Sequence, residues 1–188
     1  MNEMVANMIK EKVMAIRFAD KVGGLVRPVT INMNGEKKTF PVSWDVSSSD
    51  LQKGKYKDLM PCSKYKSLMY FEDGGTTMLE RINDIQFFQS NLRLIGWIDT
   101  SKFPQFKCTN PLAPQMIIEI MEALPTAKKT EAPFLYMEIK VNSESVKSAS
   151  IFGAYTYDEQ STQYLFYPYD YFLLNISVRY GINYNCEY

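Results

Sequence analysis

The stretch Phe172-Leu-Leu-Asn-Ile-Ser-Val-Arg-Tyr180 alternates more regularly than any other part of this chain. Phe172, Leu174, Ile176, Val178 and Tyr180 fall on one side of an extended backbone, and Asn175, Ser177 and Arg179 on the other. A strand repeats every two residues, so the pattern specifies one buried and one wetted face. The C-terminal region is therefore expected to complete a sheet rather than to trail from it.

The N-terminal region has a different period. Val5, Ile9, Val13 and Ile16 form a helical stripe, broadened by Met4, Met8, Ala15, Phe18, Ala19 and Val22. The spacing predicts a helix over residues 2–22, ended by Gly23-Gly24. A β-hairpin should follow, with Leu25–Met33 and Glu36–Trp44 flanking Asn34-Gly35, a strong type I′ turn signal. Pairing Met33 with Glu36 places Val29 opposite Phe40, Arg27 opposite Val42 and Leu25 opposite Trp44. One face then gathers Leu25, Val29, Ile31, Phe40, Val42 and Trp44. Pro28 and Pro41 cannot donate to a ladder, so parts of both strands are expected to be edges or bulges.

Residues 45–66 change character, and we expect a long polar loop there. Lys53, Lys55, Lys57, Lys64 and Lys66 are interleaved with Tyr56 and Tyr65. That combination suits contact with phosphates plus stacking, and equally a solvated loop. Strands are expected at Leu68–Phe71, at Thr77–Ile82 after a turn at Asp73-Gly74-Gly75, and at Phe87–Ile98, where Gly96 marks a close approach or bend. Asn110-Pro111 should open a helix running to Leu124, with Met116, Ile117, Ile120 and Leu124 buried and Pro125 closing it. After a short exposed turn at residues 128–131, a strand over Phe134–Val141 should point Leu135, Met137, Ile139 and Val141 inward. Further strands are expected at Ala149–Tyr157, Gln163–Tyr167 and Tyr171–Ile182. These elements make a single α+β domain over residues 1–188: a mostly antiparallel sheet with an N-terminal amphipathic helix and one shorter internal helix.

What the chain lacks bounds its chemistry. It has no histidine, which removes Ser-His-Asp and Cys-His nucleophile systems, histidine acid–base catalysis and most zinc, iron and copper sites. Cys62, Cys108 and Cys186 are widely spaced and odd in number, which fits reduced thiols better than a disulfide framework. No signal-peptide pattern and no apolar run of membrane-spanning length are present. The 21 basic and 21 acidic residues cancel, which argues against nucleic acid as the main partner. The balance is uneven along the chain, though. Residues 1–66 hold twelve Lys and Arg against seven acids, whereas residues 151–188 hold one Arg against four acids. Such a dipole can orient neighbouring subunits.

Two constellations invite a functional reading. Glu138-Ile139-Lys140 resembles the acidic-x-Lys element of metal-dependent nucleases, and Asp99 is the candidate upstream acid. Two carboxylates at adjacent strand ends can hold one Mg²⁺. The dipeptide Pro-Asp that usually precedes such an element is missing, and cross-strand charge pairing accounts for the same residues. The second constellation is aromatic. Tyr155, Tyr157, Tyr164, Tyr167, Tyr169, Tyr171, Tyr180, Tyr184 and Tyr188 crowd the last 34 residues with Phe166 and Phe172. Tyr167, Tyr169 and Tyr171 share one strand face, which suits a protein interface or a sugar platform. Tyrosine also suits strands for packing reasons alone. There is no phosphate-binding glycine loop, no GxSxG elbow and no metal-ligand spacing.

The order of elements is an amphipathic helix, a hairpin, a long polar loop, strands, a short central helix and a terminal sheet. With neutral charge and many aromatics and methionines, it resembles the small neck, connector and tail-completion ring proteins of tailed bacteriophages. The resemblance covers most of the chain as an order of elements and carries no diagnostic motif. It implies a non-catalytic, cofactor-free subunit that forms homo-oligomeric rings, contacts other virion proteins, lies near DNA without reading it, and involves no membrane. The virion, assembled in the host cytoplasm, would be its location. The hairpin tip at Asn34-Gly35 and the loop at 45–66 (Lys53, Lys55, Tyr56, Lys57, Lys64, Tyr65, Lys66) would bridge neighbours, with Tyr167, Tyr169 and Tyr171 as a second contact face. The lack of a basic excess places the subunit away from the DNA channel or in the tail. A binding module using the tyrosine face and a histidine-free enzyme are the alternatives.

Overall fold

The C-terminal alternation becomes the long strand β7 (Tyr169–Asn183) of a computed structural model that describes residues 1–104, 112–124, 128–129, 134–156 and 165–183. Phe172, Leu174, Ile176, Val178 and Tyr180 are all buried in the main core, while Asn175, Ser177 and Arg179 stay partly wet. β7 lies between β4 (Ile85–Asp99) and β6 (Phe134–Val146), antiparallel to both. β3 (Ser67–Ile82), β1 (Lys21–Met33) and β2 (Glu36–Ser43) extend the sheet on one side, and the two-residue β5 (Lys128–Lys129) on the other. The order is β2-β1-β3-β4-β7-β6-β5, and among the described residues the β1–β3 pairing is the one parallel ladder. The fold is thus a single α+β unit built on a mostly antiparallel sheet, as its periodicities predict.

Two helices cover one face of the sheet. α1 (Asn2–Val13) buries Val5, Ala6, Ile9 and Val13, and α3 (Leu112–Ala123) buries Leu112, Ala113, Met116, Ile117 and Ile120. Each has twelve described residues. α1 stops nine residues before the expected Val22, and Gly23-Gly24 lie inside β1. The glycines answer to packing there. A Cβ on Gly23 would sit 3.0 Å from the Leu59 side chain and 3.3 Å from Tyr70 Cβ. Close approach, not helix termination, is their role.

The hairpin register is the expected one, from Met33 opposite Glu36 to Arg27 opposite Val42, and Trp44 N–H donates to Leu25 C=O at 3.1 Å. Pro28 faces Pro41. With a two-residue turn, 27/42 and 29/40 are the hydrogen-bonded pairs, so both prolines face away from the ladder and cost it nothing. Trp44 departs from expectation: it is 48% exposed, stacked under the Arg27 guanidinium at 5.6 Å. The hairpin face turns instead onto residues 45–66, which are not structureless. They form α2 (Ser48–Gln52) and a 3-10 turn at Lys55–Lys57. Met60 packs on Phe40 and Val42, with Val29, Ile31, Met33, Val46, Leu51 and Tyr56 around them.

β3 does not turn at Asp73-Gly74-Gly75. It runs through a bulge between Asp73 and Thr76, and the turn comes at Asn83-Asp84. Gly75 takes φ +91°, which an L side chain rarely adopts, and its N–H donates to Asp73 Oδ1 at 2.7 Å. In β6, a register shift between Phe134 and Tyr136 buries Phe134 and leaves Leu135 half-exposed, contrary to the simple alternation. Gly96 behaves as anticipated: the Phe172 ring lies 2.2 Å from where its Cβ would be.

Residues 149–156 are not a strand. Ala149–Phe152 is a 3-10 turn, and residues 165–168 also form turns rather than a strand. Residues 147–156 instead cross the second face of the sheet as a strap. Ile151, Phe152 and Tyr155 join Val26, Leu59, Leu68, Tyr70, Ile95, Trp97, Tyr171 and Leu173 in a second core. Tyr155 donates to Glu72 Oε1 at 2.5 Å, and Thr156 exchanges two hydrogen bonds with Thr39 on the outer edge of β2. Cys108, Cys186, the Asn110-Pro111 cap, Pro125, the turn residues 130–131, Gln163 and Tyr157, Tyr164, Tyr184 and Tyr188 lie outside the described residues.

Candidate interaction surface

β1 and β3 run side by side only as far as Val26 and Glu72. Beyond that point the β1–β2 hairpin leaves the sheet as a projection. Its strands are held by eight paired positions and its inner face by the third core cluster. Asn34 (φ 54°) and Gly35 (φ 87°) form its exposed tip. Tyr56 packs at a tilt against Phe40 at 4.8 Å and its hydroxyl reaches Met33 Sδ at 4.0 Å, which ties the loop to the inner face of the hairpin, while Asp50 and Lys55 lie beside Ser43 and Asp45 at its root. Hairpin and loop therefore make one body, as neither spacing nor composition alone could establish.

That body is basic. Eight Lys and Arg stand between Arg27 and Lys66 against four acids. Lys53, Lys55, Lys57, Lys64 and Lys66 are all exposed, and Tyr56 and Tyr65 are half-buried. The tyrosines support the fold from beneath rather than offering free rings: Lys57 lies over Tyr56 at 5.8 Å and Lys64 over Tyr65 at 5.2 Å. Lys55 pairs with Asp50 at 3.0 Å. That ammonium, with the Ser47 hydroxyl at 2.8 Å, holds the Asp50 carboxyl below the usual carboxylate range, and Asp50 in turn raises Lys55. Lys37 and Lys53 carry no ion pair among the described residues.

At the root of the same hairpin lies a groove of ≈ 560 Å³ between α1 and the end of β2. Glu3, Glu11, Met14, Trp44 and Asp45 line it, over a floor at Gly24. Met14 is 57% exposed. Glu3, Glu11 and Asp45 have no ion pair among the described residues. The groove was missed in the sequence because Trp44 continues the hairpin alternation. The signal against burial is the adjacent Asp45, where the strand stops.

The tyrosine face does not survive as a surface. Tyr167 is 93% exposed in the turn before β7. Tyr169, however, stacks on Trp97 at 5.2 Å, and Tyr171 packs against Phe152 at 5.3 Å inside the second core. Tyr155 and Tyr180 are buried too. The alternation placed Tyr169 and Tyr171 correctly on one face, and the strap covers that face.

The two acids of the nuclease-like reading are far apart. Asp99 pairs with Tyr169 at one end of β7 and Glu138 with Arg179 near the other, ten residues along the strand or roughly 33 Å. Asp99 caps a 3-10 turn, accepting from Ser101 N–H at 3.1 Å and lying 3.7 Å from Lys102 Nζ. Glu138 belongs to a cross-strand charge cluster on the open half of the second face. Lys140 at 2.9 Å, then the Tyr136 hydroxyl at 3.1 Å, hold it below its ordinary value. Burial and that same bond push the Tyr136 phenol up. Arg179 reaches across to Glu80 and lies over Phe87 at 5.1 Å. Among the described residues, no group of three or more His, Cys, Asp or Glu is placed to hold a metal ion, and no helix is long and apolar enough to cross a membrane.

A scan against known family models returns no match, and no curated protein matches the chain.

Proposed function

We propose that this chain is a non-enzymatic structural subunit of an oligomeric assembly, of the neck, connector or tail-ring kind found in tailed bacteriophages. The observation that carries the proposal is the projecting hairpin–loop body. The projection is built largely on a satellite cluster of its own and meets the second core of the sheet through Leu59 and Tyr65. Ordering some forty residues costs conformational entropy, and a projection resting largely on its own small cluster is economical when it also touches something else. Its basic tip and exposed Asn34-Gly35 supply the contact. Partners would be further copies of the chain and other virion proteins, with the virion as its location and no cofactor required.

The burial of Tyr171 and the stacking of half-buried Tyr169 on Trp97 weigh against a tyrosine platform for ligands, and the separation of Asp99 from Glu138 weighs against a shared Mg²⁺. Sedimentation velocity and negative-stain microscopy of the purified chain test the proposal. A closed ring, alone or on mixing with proteins encoded beside it, is the expected result. A chain that stays monomeric at high concentration, joins no particle and turns over a substrate overturns it.

A further inference from the structure

We propose that the Trp44 groove is the seat for the hairpin tip of a second copy of this chain, so that copies join head to tail. The inference rests on the oligomeric reading above and names the contact that would build the oligomer.

Three observations converge on it. First, the groove presents what an interface centre needs. Trp44 and Met14 are large apolar side chains left half in water, and tryptophan is enriched where binding energy concentrates. The chain's other tryptophan, Trp97, is 1% exposed, so burial is the ordinary fate of this side chain here. Second, the charges are complementary and uncommitted. Glu3, Glu11 and Asp45 line the groove against Lys10, while Lys37 stands exposed beside the Asn34-Gly35 tip. Each group lacks an ion pair within its own copy among the described residues, so docking would pair charges already exposed. Third, tip and groove stand at opposite ends of one rigid hairpin. Gly35 and Trp44 are separated by the length of β2, roughly 30 Å. A copy displaced by one hairpin length puts its tip in its neighbour's groove and offers its own groove to the next. That contact is heterologous, and such contacts close into rings when the rotation between copies permits. A hairpin tip in a groove is a small interface, and closure strengthens it because every copy then makes the contact twice.

Glu11, Lys37 and Asp45 are all exposed, so charge reversal there leaves the core intact. Three variants are required: a tip variant (Lys37→Glu), a groove variant (Glu11→Lys with Asp45→Lys) and the triple variant. Each is examined by sedimentation velocity and by acrylamide quenching of tryptophan fluorescence. In the wild type, assembly should shield Trp44, and raised salt should expose it again. The tip variant and the groove variant should each sediment as monomer with Trp44 quenchable. The triple variant, and an equimolar mixture of the first two, should regain the oligomer and the shielding. Rescue separates a lost contact from a lost fold. Wild-type rings whose Trp44 stays fully quenchable, or that persist in both single-surface variants, would overturn this contact and leave the oligomeric reading standing. A wild type that is monomeric under all conditions would overturn both.

Discussion

Replacing Asn2 with alanine should destabilise the protein by about 2–3 kcal/mol, although the residue stands at the first turn of the first helix. Asn2 does not cap its own helix. Its side chain is buried and points into the bulge of β3. Its amide donates to Asp73 Oδ1 at 2.5 Å, and its carbonyl accepts from the hydroxyls of Thr76 and Ser90. The bond to the Asp73 carboxylate is the costly one to lose, at about 1.5–3 kcal/mol. The two hydroxyl bonds are partly recovered, because Thr76 and Ser90 lie 3.0 Å apart and Ser90 reaches the Tyr180 hydroxyl at 3.3 Å. Asp73 likewise keeps the Gly75 N–H. Urea denaturation should show the midpoint falling with the slope unchanged, and Tm should drop by about 4–12 °C for a chain of this size. Glu3→Ala, at the exposed neighbour, is the control and should stay within about 0.5 kcal/mol of wild type. Asn2→Asp adds a sharper criterion. It keeps the acceptor but sets a second carboxylate against Asp73, so its deficit should be largest at neutral pH and shrink as acid protonates one of the pair. An Asn2→Ala protein as stable as the Glu3→Ala control would show that the buried network holds nothing, and the reasoning would fail.

Two further outcomes follow from local geometry. Gly96→Ala should cost about 1–3 kcal/mol by chemical denaturation, because the new methyl meets the Phe172 ring, and Phe172→Leu in the same chain should recover part of the loss. Asp50, held low by Lys55, contributes to loop docking above the unfolded carboxylate value of about 3.9, and this contribution should vanish as pH falls through its lower folded value. An NMR titration should find the Asp50 midpoint moving up toward that ordinary range in Lys55→Met.

The sequence made some features plain because one local rule decided them. Asn34-Gly35 admits one turn, and that turn sets the hairpin register; the stripe of α3 and the alternation of β7 each admit one buried face. Elsewhere two causes leave the same mark. Gly23-Gly24 reads as a helix stop, yet Leu59 and Tyr70, far away in sequence, crowd Gly23, and the Asn7 side chain crowds Gly24. Asp73-Gly74-Gly75 reads as a turn and is a bulge. The candidate site divides in the same way. Tyr169 and Tyr171 sit on the face their spacing assigns, but whether that face meets solvent is decided by residues 147–156, which alternation does not reveal. The exposed lysines of residues 53–66 were legible from composition. Their union with the hairpin depended on Tyr56 finding Phe40, and the Trp44 groove on a helix packing beside a strand end.

The centre of the sheet joins residues 85–99 to residues 169–183, and the Tyr180 hydroxyl reaches back to Met1 Sδ at 3.6 Å. During synthesis, β4 therefore waits for one long neighbour while the residues between Asp99 and Tyr169 are added. Until then β4 exposes a row of apolar side chains and unpaired backbone groups to the cell. Such delayed, sequence-distant closure slows folding and favours aggregation of unfinished chains. Nascent copies made close together on one message would be exposed to mispairing over the same interval, so the yield of native subunit should depend on how quickly translation delivers β7.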